Sequence, residues 1–483
     1  FSFTGEIKLE DSLEKLNLLK HRGPDGFGFE YGNFSEMKYF KCFNIDMGDE
    51  LYRKNNRANY FLGHRRLSIV DLSDNALQPM ESTDKNYSVV FNGEVYNFIE
   101  LKEELIKEGC VFNTDHSDTE VLLNAYIRWG IKCLSRLRGM FAFAILNRRE
   151  KTIFLARDRI GKKPLYYNFS QEKFSFASEM MPLVKLENRS YRINMTALCF
   201  YMYLGYVPHP LSIFEGIYKL SPATFAFVDL KSRTISLNRY WDVDAGDNRE
   251  TSEDQMGKEV EDLLTESVML RLRSDVPIGA FISGGIDSTV VIKKMSEISG
   301  SKFDVFGANF PQPEQSEQVY IKEAASRYLQ NLHLSQIDLT HINRINEIIN
   351  VFDEPFDGGS SIAVFDLFKE AKRNNIKVIL TGDGGDEVFA GYQHYVNFSS
   401  MNRVLKVLKK LSIPDIMLSL LSRVDVENYR IKKLRKMIND DIISKYLFYD
   451  SNSMKMMELI KGWNKFSPDQ CMPFSEIKSK LSQ

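Results

Sequence analysis

Gly279-Ala280-Phe281-Ile282-Ser283-Gly284-Gly285-Ile286-Asp287-Ser288 reads as a short buried strand that runs into a loop of small polar residues, and Thr289 to Ile298 behind it has the apolar spacing of a helix. A loop in that context sets backbone N–H groups at a helix N-terminus, where the helix dipole favours an anion. Two glycines let the backbone approach closely, because a Cβ would collide with phosphate oxygens. The hydroxyls of Ser283 and Ser288 add donors, and Asp287 offers a carboxylate for a magnesium ion. The lysine of a Walker A loop is missing, and no G-x-x-x-x-G-K-[ST] occurs in the chain. That absence points to chemistry in which the whole pyrophosphate departs and an adenylate forms. The competing reading is a plain serine-glycine turn; six matching residues between a strand and a helix weigh against it.

A second loop has the same placement. Leu380-Thr381-Gly382-Asp383-Gly384-Gly385-Asp386-Glu387 follows an apolar strand, Lys377 to Leu380, and precedes an apolar helical start at Val388-Phe389. Three glycines and three acids in eight residues are unfavourable in a bare turn, since glycine loses backbone entropy and like charges repel. A magnesium ion removes the conflict, so Asp287 and Asp386 are assigned to the metal and Asp383 to the reacting groups. An acidic turn in solvent is the alternative, and its coincidence with the first loop argues against it.

Outward from these loops, helical segments alternate with short strands: Glu253 to Arg273 is amphipathic, Lys302 to Phe306 is a strand and Val364 to Arg373 a helix. Alternation of this kind predicts a doubly wound parallel sheet whose ligands bind at the carboxyl ends of its strands. The lysine- and leucine-rich tail after Met401 reads as helical. Up to about residue 185 the pattern is strand-rich instead, with Tyr87 to Phe91, Phe141 to Leu146 and Thr152 to Ala156 as strands. Helical spacing over Ile99 to Glu108 and Thr119 to Tyr126 suggests helices layered on sheets. The polar run from Leu186 to Arg192 marks the expected boundary, giving domains at 1–188 and 189–483.

Bulk properties narrow the function. A chain of 483 residues exceeds one ordinary core, and 43% hydrophobic with 27% charged residues is a globular composition. A formal net charge of −2 gives no broad attraction for nucleic acid. Five scattered cysteines lack any C-x-x-C pair and read as reduced. No run approaches the length of a membrane span and no signal-peptide pattern opens the chain, so a cytoplasmic location is expected.

The pair S-G-G-I-D-S and T-G-D-G-G-D-E-V-F-A-G-Y resembles the synthetase domain of the asparagine synthetase family, as do Gly205-Tyr206-Val207-Pro208, Ile213 to Leu220 and Asp353-Glu354-Pro355-Phe356. The first half resembles the family's glutaminase domain, similar to the N-terminal-nucleophile hydrolases, through His21-Arg22-Gly23-Pro24-Asp25, Gly63 to Asp71, Phe91-Asn92-Gly93-Glu94, Ser117 to Glu120 and Arg138 to Ala142. The likeness implies an α/β protein: a layered αββα N-terminal-nucleophile-type domain, then an ATP-pyrophosphatase domain with a helical tail. It implies ATP and Mg2+, with aspartate adenylated and then amidated by ammonia from glutamine. Small molecules are thus the expected partners, with no nucleic acid and no membrane, and a homodimer is compatible with the family.

Residue by residue, the resemblance assigns ATP binding to Phe281, Ser283, Gly284, Gly285, Asp287, Ser288, Ala308 and Gly382, metal binding to Asp287 and Asp386, and catalysis to Asp383. The oxyanion of glutamine's amide would meet the Asn92 side chain and Gly93 N–H, while Arg66, Glu94 and Asp118 would hold its carboxylate and amine. Asn309 stands where the family has glycine, and the family's later lysine-bearing basic segment is not recognisable before Gln483. Family members open on a cysteine whose own amine is the base. Here Phe1 opens the sequence, so a short Cys-Gly leader in front of it is the expectation, with a ligase fed by free ammonia as the alternative. Amidation of another carboxylate, with an acceptor pocket near Gly358 to Ile362, and a non-catalytic relative are the remaining rivals.

Overall fold

Alternate residues of three neighbouring strands belong to two different cores. From Tyr87–Val95, Gly139–Asn147 and Thr152–Arg157, the residues Val89, Phe91, Phe141, Phe143, Ile145 and Phe154 face one core, and Val90, Ala142, Ala144, Leu146, Ile153 and Leu155 face the other. A strand turns each successive side chain to the opposite face, so a run apolar at every position must be covered on both sides. The helices Phe98–Lys107 and Asp118–Trp129 cover the first face with Leu101, Leu105, Val121 and Leu122. Truncating one of these fully buried phenylalanines to alanine costs about 3–5 kcal/mol.

The computed structural model describes residues 1–410, except 4, 37, 45–57, 187–190, 245–250, 311–316, 329, 338–342, 357 and 359. The second face of the central sheet is covered by two small antiparallel sheets. One orders its strands Lys38–Phe43, Gly26–Asn33, Tyr60–Arg66; the other Tyr218–Lys219, Tyr166–Phe169, Phe174–Ala177. Residues 1–3 lie between them: Ser2 N donates to Asn59 O at 2.7 Å and Phe3 N to Glu172 O at 2.6 Å. Helices Leu9–Leu18 and Met180–Leu186 pack together on the outside. The result is the layered helix-sheet-sheet-helix arrangement.

The central sheet has six antiparallel strands, and two of them, Thr224–Asp229 and Thr234–Arg239, come from beyond residue 188. Between them and the first half, helix Met195–Leu204 is capped by the Asn194 side chain, which accepts from Ala197 N at 3.1 Å, and ends at Gly205 with φ +81°. The chain thus crosses a connecting layer and returns to the first sheet before the second begins.

The second sheet is parallel, in the order Asn331–Gln336, Asp304–Asn309, Ile278–Ile282, Val378–Leu380. Helices Ile286–Ser299 and Gln318–Arg327 bury Ile292, Met295, Ile321 and Ala324 against one face, and Ser361–Arg373 buries Leu367 and Ala371 beneath Phe306 on the other. Helices on both faces make the sheet doubly wound. Of the expected helical tail, Gln393–Lys410 is a helix and residues 411–483 lie outside the described residues. Among the described residues no helix is long and apolar enough to cross a membrane.

Candidate active sites

Strands Ile278–Ile282 and Val378–Leu380 are immediate neighbours, paired Ile278 to Val378 through Ala280 to Leu380. Both chemical loops therefore leave the same end of the sheet side by side. They touch: a Cβ on Gly382 would lie 2.7 Å from Ser288 N, and one on Gly385 would lie 2.4 Å from Asp287 Cγ. These glycines are where they are because the other loop occupies the space a side chain would need.

The first loop is internally tied. Ser283 N donates to Ser288 Oγ at 3.2 Å, the two serine hydroxyls lie 3.0 Å apart, and Thr289 Oγ1 donates to Gly285 O at 2.7 Å. Gly284 has φ +78° and would carry a Cβ 2.8 Å from Tyr320 Cβ, so only glycine serves there. Helix Ile286–Ser299 starts directly behind, aiming its free N–H groups at the loop. Burial first, and then the carboxylates of Asp386 and Glu387, push the Asp287 carboxyl above its usual range. Mutual repulsion of that kind is what a bound cation would relieve. Asp383 is exposed and accepts from Thr381 Oγ1 at 2.9 Å. Phe281 and Ala308, on adjacent strands, share one small apolar cluster, with the Phe281 ring edge-on to Phe368 at 4.8 Å.

In the first half, Asn92, Gly93 and Glu94 end the strand Tyr87–Val95. The Asp118 carboxylate, at the start of its helix, accepts from Val95 N at 3.0 Å. Burial pushes the Asp118 carboxyl up to about 6, although backbone N–H bonds and nearby Arg66 oppose the shift. Glu94 is raised well above its usual range by burial and by Asp118. The buried Arg66 guanidinium is seated on two backbone carbonyls, Ser73 O at 2.8 Å and Asp71 O. Two carboxyls and a guanidinium thus converge beside Asn92, and a cavity of about 460 Å³ between the sheets opens onto Asn92, His64 and Ser178. Arg66, Glu94 and Asp118 flank this cavity and do not line it. His64 is pushed down to about 4 by burial and is neutral; it contacts Phe91 O at 3.1 Å through Nε2, while its Nδ1 has no partner.

Several residues with a part in these sites carried no sequence signal. The buried Asp158 carboxylate gathers the backbone N–H groups of Phe141, Ile160, Lys162 and Lys163 at 2.9–3.3 Å, and Arg157 clasps the carbonyls of Gly161, Lys163 and Leu220. From this stiff turn Lys162 is in electrostatic reach of Asp383 and Lys163 of Glu94. The motifs at 205–220 and 353–356 are brought together. Glu354 accepts from Ile213 N at 3.0 Å and pairs with Lys219, while Asp353 takes the N–H groups of Met180 and Met181. They stitch the two halves together.

The fold and these sites define a two-part α/β protein in which a layered antiparallel domain adjoins a doubly wound domain with a lysine-free serine-glycine loop between a strand and a helix. Residues 48–241 match a family model described as a glutamine amidotransferase domain, and residues 259–461 one described as asparagine synthase. The chain belongs to the glutamine-hydrolysing asparagine synthetase family. It is 34% identical over 432 residues to putative asparagine synthetase [glutamine-hydrolyzing] 2 of Methanocaldococcus jannaschii, covering 85% of this chain and 78% of that one. To asparagine synthetase [glutamine-hydrolyzing] 1 of Bacillus subtilis (strain 168) it is 35% identical over 407 residues, 83% of this chain; there the match spans 59% of the relative's length.

Proposed function

We propose that the protein is an ATP-dependent amide-forming ligase that activates aspartate as aspartyl-AMP, releases pyrophosphate and amidates the adenylate with ammonia drawn from glutamine. The observation that carries this reading is the contact between the two loops on neighbouring parallel strands, with Gly382 and Gly385 packed on Ser288 and Asp287. Carboxylate and ammonia do not condense in water, whereas a mixed anhydride offers a neutral amine a good leaving group.

In this reading the N–H groups at the start of helix Ile286–Ser299 and the hydroxyls of Ser283 and Ser288 bind the departing pyrophosphate, with Gly284 and Gly285 allowing close approach. Phe281 and Ala308 hold the adenosine, and Gly382 keeps the second loop close. Asp383 receives or orients the proton of the attacking amine. Among the described residues no group of three or more His, Cys, Asp or Glu is arranged to hold a metal unaided. Magnesium suits this site all the same, because it takes one or two carboxylates and completes its shell with phosphate oxygens and water. Asp287 and Asp386 would hold it, and it would neutralise charge on the leaving pyrophosphate. On the glutamine side, Arg66 binds the α-carboxylate, Glu94 and Asp118 bind the amine, and Asn92 with Gly93 N–H stabilises the oxyanion. We place the enzyme in the cytoplasm.

The test is incubation with ATP, Mg2+, aspartate and ammonium. AMP, pyrophosphate and asparagine are expected in equal amounts; ADP in place of AMP overturns the adenylation reading, and AMP formed only with a different carboxylate overturns the choice of aspartate.

A further inference from the structure

Arg273, Ser274 and Asp275 lie in the connection, residues 272–277, between helix Glu253–Arg271 and strand Ile278–Ile282, so by chain position they belong with the parallel sheet. Arg273 and Asp275 nevertheless reach into the first half. Asp275 N donates to Ile69 O at 3.0 Å; its carboxylate Oδ2 accepts from Asp71 N at 2.7 Å and lies 2.6 Å from His116 Nε2. Arg273 donates to Tyr96 O at 2.7 Å and forks onto the Glu100 carboxylate at 2.5 and 2.6 Å. Ser274 Oγ donates to Val276 O at 2.9 Å and accepts from Val276 N at 3.2 Å, which stiffens the turn between them.

The partners of Asp275 are not arbitrary. Asp71 is the residue whose carbonyl seats the Arg66 guanidinium, and its carboxylate fixes Ser73, whose carbonyl seats the other half of the same fork. His116 stands two residues before Asp118. One carboxylate oxygen therefore pins the wall that carries the guanidinium and the wall that carries the acids. Arg273 pins the far end of the second wall at Tyr96, two residues beyond Glu94.

We propose that Asp275 is a positioning residue for the amino-acid pocket: it fixes the separation between Arg66 and the Glu94–Asp118 pair, and so the span between carboxylate and ammonium of the bound zwitterion. This rests on the assignment of that pocket to glutamine. A bidentate ligand of fixed length is sensitive to the spacing of its two anchors, so loosening one wall weakens binding without touching either anchor. Asp275→Ala leaves the Asp71 N–H without its acceptor and His116 with Asp115 alone, while Asp275→Asn keeps an oxygen in the same place.

Calorimetric titration of the full chain with L-glutamine reads the effect directly, alongside aspartate- and ammonium-dependent pyrophosphate release as a check on the other half. Asp275→Ala is expected to weaken glutamine binding roughly tenfold, the loss of about one hydrogen bond in the pocket's frame. Asp275→Asn should bind like the wild type, and both variants should release pyrophosphate at the wild-type rate. Unchanged glutamine binding in Asp275→Ala, equal weakness in Asp275→Asn, or loss of pyrophosphate release in parallel with glutamine binding each overturns the proposal. Failure of the wild-type protein to bind glutamine overturns the pocket assignment and this inference with it.

Discussion

Gly385→Ala should disable adenylate formation without unfolding the protein. Gly385 starts helix Gly385–Phe389 with a φ outside the left-handed region, so alanine fits the backbone and by helix propensity gains up to about 1 kcal/mol. The only obstacle is the Asp287 carboxylate: the new Cβ would lie 2.4 Å from its Cγ, 2.5 Å from Oδ2 and 2.8 Å from Oδ1. Carbon atoms in contact sit about 3.5–4.0 Å apart, so the carboxylate must retreat by about 1 Å or more. It sits at the end of a flexible side chain in a half-buried place and can rotate away at small cost. A charge-assisted contact is worth about 1.5–3 kcal/mol, which at about 1.4 kcal/mol per factor of ten lowers kcat/KM for ATP by roughly 10- to 150-fold. Denaturant unfolding should stay within about 1 kcal/mol of the wild type. Pyrophosphate release measured with aspartate and ammonium is the assay. Asp287→Asn should reproduce the loss, and the double variant should be no worse than either single one, because both remove the same contact. A fully active Gly385→Ala would refute the idea that the second loop must leave room for Asp287.

Three further outcomes follow from the geometry. Because burial raises the Asp118 carboxyl to about 6, that group is neutral below this pH and charged above it, so glutamine affinity should rise through pH 6 and level off; a flat calorimetric profile from pH 5 to 8 would contradict its assignment to the amine. The same shift has the opposite effect on the free protein: the fold holds the proton more tightly than the unfolded chain, so this group's stabilising share is present below about pH 4, is lost as pH rises through 6, and should vanish in Asp118→Asn. Arg148 pairs with the fully buried Glu30 at 2.6 Å, and Tyr60 and Ser88 also donate to that carboxylate at 2.6 and 2.7 Å; Arg148→Met strands the charge and should cost about 3–5 kcal/mol in urea unfolding, partly recovered by adding Glu30→Gln. A Cβ on Gly93 would lie 2.0 Å from Met140 O, so Gly93→Ala should part the two strands at Asn92 and abolish glutamine binding, while a variant that binds normally would place the oxyanion donors elsewhere.

What the chain disclosed in advance was whatever its chemistry holds close in sequence. The strand, loop and helix around Ser283–Ser288 are consecutive, so the element is readable from its local pattern, and the role proposed for it rests on the same residues. The double-sided strands were equally plain, because a run such as Phe141 to Leu146 is apolar at every position and only a two-layer core accepts it. Long-range pairings left no such trace. Strands Thr224–Asp229 and Thr234–Arg239 join the first sheet from beyond the polar run near residue 188, whose composition says nothing of where the chain goes next. Asp71 and Asp275 lie 204 residues apart, and neither is unusual in its local context. Likewise Asp353-Glu354 is recognisable as a family motif, yet its partners Met180, Ile213 and Lys219 could not be inferred from it.

The placement of Arg273 and Asp275 has a consequence for how two reactions share one molecule. These residues precede strand Ile278–Ile282, and the loop Ser283–Ser288 follows it, so on the proposed reading one strand carries the frame of the glutamine pocket at one end and the ATP site at the other. Five residues at about 3.3 Å each put roughly 16 Å between those ends. The strand lies inside the sheet, bonded to a neighbour on each side, and cannot stretch. The separation of the two sites is therefore held in part by this strand and the side-chain bonds at 273–275, alongside the bonds of Asp353 and Glu354 to the first half. On the proposed reading, the nitrogen released from glutamine must cover a fixed path, and the turn at 158–163 has Lys162 in electrostatic reach of Asp383 and Lys163 in electrostatic reach of Glu94. Arg273→Ala loosens the clamp while leaving the Asp275 contacts in place, so in this variant the ratio of asparagine formed to glutamine consumed should fall before either half reaction weakens. A ratio unchanged while both half reactions slow together would mean that the halves are held by their other contacts and that the clamp is incidental.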